Sequence, residues 1–139
     1  MSLASYIGCN IEIPFTDENT DEDLIIEIGD CFSDEECKLN VQKYQFTTPY
    51  VYEVSTHWGI VISEEWASKE ICEKSKVKLT ELCKIMNNYL EKGDFFELYS
   101  CWIGEESDKR ESRLTLQLNN FDIDQIEIGE KTLVRFEKF

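Results

Sequence analysis

One hundred and thirty-nine residues, 42% hydrophobic and 12% aromatic, are enough for one core. Two prolines and six glycines leave little for a linker, so the chain reads as a single domain over 1–139. A net charge of −15 disfavours nucleic acid and anionic membrane as partners, and no stretch nears the roughly 20 apolar residues of a spanning helix.

The opening Met1–Tyr6 lacks the basic start and apolar run of a secretory leader, so the six cysteines read as reduced thiols of a cytoplasmic protein. From Ser5 to Ile13 the chain alternates, with Ile7, Cys9, Ile11 and Ile13 on one side, which predicts a half-buried strand ended by Pro14. The run Thr16–Asp23 predicts an acidic loop leading into a helix. Thr20 is its cap, and Leu24, Ile28, Cys31 and Phe32 recur at helical spacing. Ser33-Asp34-Glu35-Glu36 is a capping-box pattern for a second short helix to about Asn40. Tyr44, Phe46, Tyr50, Tyr52 and Val54 share a parity and predict a strand, with a second over Trp58–Ile62.

The longest periodic stretch runs from Ser63, a cap, to Lys92, with Gly93 as the stop. Its stripe is Cys72, Leu79, Leu82, Cys83, Met86, Tyr89 and Leu90. Strands follow over Asp94–Ile103 and Arg113–Leu118, and Ile126–Ile128 with Leu133–Phe139 predict a terminal hairpin. The order argues for an α+β fold: an antiparallel sheet of five to seven strands, with one long helix and one or two shorter ones packed on one face.

Charge is unevenly placed. Residues 1–37 hold eleven of the twenty-nine acids and no Lys or Arg. The carboxylates Asp17, Glu18, Asp21, Glu22 and Asp23 are one candidate contact patch for a basic partner. Trp102 followed by Glu105, Glu106 and Asp108 is another, an aromatic anchor rimmed with charge.

Signatures of chemistry are missing. Counted from Asp17, a calcium loop needs Gly at its sixth position and Glu at its twelfth, where Glu22 and Ile28 stand. No cysteine pair has zinc spacing, and no Gly-rich loop precedes a helix, so neither metal nor cofactor is expected. A Cys–His nucleophile would need His57, the one histidine, beside Cys9 or Cys101. The strand aromatics Tyr44, Phe46, Tyr50 and Tyr52 have only Lys38 and Lys43 nearby, too few for a nucleic-acid groove.

In size, charge and class the chain resembles the small acidic immunity proteins that bacteria keep against their own secreted toxins. The resemblance spans the whole chain and carries no residue across. It implies a non-enzymatic inhibitor that covers the active site of a basic, often nuclease, toxin with carboxylates. A regulatory or scaffold module for another basic partner, and an enzyme without a recognisable motif, are the alternatives.

Overall fold

The computed structural model describes residues 3–14, 26–29, 35–55, 59–63 and 68–138. Strand β1, Leu3–Cys9, is buried along its whole length because it runs through the middle of a six-stranded sheet ordered β2-β3-β1-β4-β6-β5. It pairs antiparallel with β3, Tyr50–Ser55, on one side and with β4, Phe95–Trp102, on the other. The β4 ladder spans seven residue pairs, from Leu3↔Trp102 to Cys9↔Phe96. Strand β6, Thr132–Glu137, adds antiparallel to β4.

The outer strands depart from the expected pattern. The expected helix over Leu24–Phe32 is overturned at its centre, where Glu27–Gly29 forms strand β2 on the outer side of β3. Ile26 and Ile28 alternate into the core, and β-branched side chains suit a pleated surface better than a helix. At the other edge β5, Ser112–Gln117, pairs parallel with β6, so the sheet is mixed and there is no terminal hairpin. A parallel pair needs a crossover of about a dozen residues. Residues 118–131 supply it, held partway by a two-bond bridge between Ile128 and Ile62.

Helices lie on both faces of the sheet, not one. Helix α2, Lys69–Tyr89, buries Leu79, Leu82, Cys83 and Met86 against Ile7, Leu98, Val134 and Phe136. Each such side chain contributes roughly 2 kcal/mol of burial. Helix α1, Glu35–Tyr44, covers the opposite face, where Val41 and Phe46 meet Tyr6, Tyr99 and Cys101. It runs past Asn40 because Cys37 and Val41, one turn apart, are both buried. Tyr44 therefore ends a helix rather than joining a strand, and Phe46 packs from a loop. That loop presses on β1 at Gly8, where a Cβ would meet the Phe46 ring at 2.9 Å.

Helix α2 begins later than expected. Its cap is Ser68, whose hydroxyl accepts the Ile71 N–H at 3.2 Å, whereas Ser63 is buried and donates to Glu127 at 3.0 Å. Cys72 and Cys83 are on the buried face as expected, but Tyr89 is turned outward. No strand forms over 59–63 beyond the bridge at Ile62. Instead Ile60 and Val61 are wholly buried, and hydroxyls satisfy their backbone: Ile60 N–H donates to Ser5 at 2.8 Å, Val61 N–H to Ser75 at 3.2 Å.

Candidate interaction surface

The Trp102 turn is built from the inside. Gly104, at φ +103, lets the chain fold back so that its own N–H donates to the Glu106 carboxylate at 2.9 Å. Glu106 is 1% exposed, and Tyr6 and Cys101 also direct their protons to its Oε2. The acid expected to face a partner therefore organises the turn beneath the surface. Its neighbours are also engaged. Lys131 Nζ lies 2.8 Å from Glu105 and 3.1 Å from Asp108, and these two hydrogen bonds raise its pKa. Gln45, itself buried, ties the turn to the end of α1 by donating to the carbonyls of Glu106 at 3.0 Å and Asp108 at 2.7 Å. Trp102 stands half-buried at the strand end. Within the second candidate patch, Glu106 is buried beneath the turn, whereas Glu105 and Asp108 stay partly exposed while paired with Lys131.

The first candidate patch, Asp17, Glu18, Asp21, Glu22 and Asp23, lies outside the described residues. Its two ends are placed. After β1, Ile13 is buried and its N–H donates to the Tyr52 hydroxyl at 3.0 Å. On the far side Ile26 enters the core and leads into edge strand β2. Ile13 and Ile26 are thus the described positions on either side of that patch. Ile13 also borders a cleft of about 450 Å³ lined by Glu12, Pro14, Lys38, Gln42 and Tyr50. Tyr50 is 39% exposed there.

Among the described residues Lys74, Lys76, Lys84, Lys131 and Arg135 form ion pairs with acids at position 70 or beyond. Lys76 holds both Glu73 and Asp124, which joins α2 to the crossover.

Two features lie beyond sequence reasoning. Glu97 and Glu53 are buried carboxylates on the α1 face of the sheet. Glu97 Oε1 accepts from Thr47, while its Oε2 has no partner among the described residues. The sequence pattern singles out neither, and Thr47, on the chain that passes over that face, meets Glu97.

The thiols are poor nucleophiles. Burial raises Cys9 to about 11 and Cys83 to about 12, and burial with the Glu106 carboxylate raises Cys101 further. All three are protonated near neutrality, whereas attack requires thiolate. His57 lies outside the described residues. Among the described residues no three His, Cys, Asp or Glu side chains converge as metal ligands, and no helix is long and apolar enough to cross a membrane. Comparison with protein-family models, curated proteins and solved structures returns no match.

Proposed function

We propose that this chain is an acidic protein-binding module, an immunity-type inhibitor that neutralises a basic toxin enzyme in the cytoplasm by laying carboxylates over its active site. The observation that carries this reading is the charge segregation in the sequence: residues 1–37 hold eleven acids and no Lys or Arg, and the ion pairs among the described residues join bases to acids from residue 70 onward. Asp17, Glu18, Asp21, Glu22 and Asp23 are the contact set. The cleft at Ile13, with Glu12 and Lys38 on its wall and Tyr50 partly exposed, offers an aromatic face and one carboxylate to a partner side chain.

Steering by opposite charge speeds encounter by orders of magnitude at low salt, which suits a guard against a lethal enzyme. The test is co-purification from the native host, identification of the partner, and association kinetics at two ionic strengths. A partner of basic pI is expected, with an association rate at least ten-fold slower at about 150 mM salt than at about 20 mM. Reversing Asp21, Glu22 and Asp23 to Lys should slow it further. A rate indifferent to both overturns the assignment of this patch. A basic partner without enzymatic activity would move the reading to a regulatory module.

A further inference from the structure

We propose that strand β5 is a self-association edge, pairing antiparallel with β5 of a second copy about a two-fold axis through Thr115. Among the described residues β5 is the outermost strand, with β6 on its inner side alone. The Ser112 N–H reaches the Lys131 carbonyl at 3.5 Å and the Leu118 N–H reaches the Glu137 carbonyl at 2.8 Å, so the even-numbered residues bond to β6. In a parallel ladder the backbone of the alternate residues Arg113, Thr115 and Gln117 then points away from the sheet. All three side chains are exposed, and of their carbonyls that of Gln117 accepts the Asn120 N–H at 3.2 Å.

Such an edge is a template for another strand, and proteins usually blunt it with a proline, a bulge or a central charge. β5 has no proline, its register is continuous from 112 to 117, and its centre is Thr115.

The occupant follows from self-complementarity. A two-fold at Thr115 sets Thr115 against its own counterpart, Arg113 against Gln117 of the second copy, and Leu114 against Leu116. No like charges are opposed, and threonine pairs and apolar pairs are favourable across strands. Gln117 is in register with Glu137 on β6, so Arg113 of the second copy points along a row that ends in a carboxylate.

Local charge favours the same approach: all three arginines of the chain, Arg110, Arg113 and Arg135, stand on or next to β5 and β6, where they offset part of the repulsion that a net charge of −15 sets between two copies. An interface of one short strand pair is small, so the dimer forms at high protein concentration.

Disulfide trapping tests the register. At the two-fold, hydrogen-bonded partners stand about 5.5 Å apart between Cα atoms, within disulfide range. Oxidation should therefore convert Thr115→Cys into a covalent dimer. Arg113→Cys alone should not cross-link, because about four residues of rise separate the two copies of that position. Mixed with Gln117→Cys it should. The unsubstituted chain is the control, since its five described cysteines are buried. Sedimentation at several hundred micromolar should show the dimer fraction rising several-fold between 0.05 and 0.5 M NaCl, because salt screens the net charge of −15. Thr115→Lys, with unchanged circular dichroism, should weaken it on the order of ten-fold. Equal cross-linking of Thr115→Cys and Arg113→Cys overturns the proposal, as does a monomer under every condition. So does an assembly that grows beyond two and dissolves with salt, the signature of a β5 edge meeting a β2 edge. The salt response is opposite in sign to that expected for a basic partner, so the two readings stand or fall separately.

Discussion

Glu106 has two acidic neighbours in the same turn, yet it alone is buried, since Gly104 lets the chain curl until its amide meets the carboxylate. A buried acceptor for a backbone N–H and a tyrosine hydroxyl is costly to remove. Glu106→Ala should destabilise the fold by about 2 kcal/mol in urea titration, with Glu106→Gln between it and the parent. A surface contact residue would leave the midpoint unmoved. The inward turn of Glu106 was not legible in the sequence, where Glu105, Glu106 and Asp108 are three equivalent acids. What separates them is Lys131, which arrives at the start of β6 with φ 55 and takes two of the three. The thiols supply a second expectation at this scale. The folded chain holds protons on Cys9 to about pH 11 and on Cys83 to about pH 12, against an ordinary 9.0. Above pH 9 the unfolded chain releases protons that the native one keeps, so stability falls as pH rises toward those values. Each group adds a slope of about 1.4 kcal/mol per pH unit. Cys83→Ala should flatten that slope in denaturation curves between pH 9 and 11, whatever it does to stability at pH 7.

At the scale of elements, legibility followed the strength of the local pattern. The pattern of Ser5–Ile13, Phe95–Trp102 and Leu114–Leu118 marks three strands, and the stripe from Cys72 to Met86 marks α2; β5 and α2 bury one face, whereas β1, expected half-buried as far as Ile13, ends at Cys9 and is covered on both faces, as β4 is. Boundaries and partners were less legible. Ser63 and Ser68 are equally good caps on paper. Burial beside Glu127 takes the first, and the second is left to receive the Ile71 amide. Ser68→Ala should therefore cost about 1 kcal/mol and speed hydrogen exchange in the first turn of α2. Ser63→Ala should leave that turn unchanged while loosening the crossover at Glu127. The parallel β5–β6 pair escaped notice because a short polar connection resembles a hairpin turn until the bridge at Ile62 is known. The helix expected around Ile28 failed because three residues of β-bridge carry almost no periodic signal.

Over the whole molecule, charge is unevenly spread along the chain: in sequence the segments richest in carboxylate flank β2, while the arginines stand at or next to β5 and β6. This asymmetry is legible before any fold is known, as a run of thirty-seven residues without a base. The strand order, in which β1 and β3 lie inside β2, is not legible, because it depends on pairings between distant segments. The central position of β1 also sets an order of events during synthesis. The Ser5 and Ser100 hydroxyls, 2.6 Å apart, are separated by 95 positions in the chain. The ribosome makes β1 early, yet one of its two flanks stays open until β4 has emerged, and closing so long a loop slows folding. For that interval the nascent chain exposes a strand that is wholly buried in the finished fold, with bare amides on one side, and the adjacent acidic run in the sequence helps to keep neighbouring nascent chains apart.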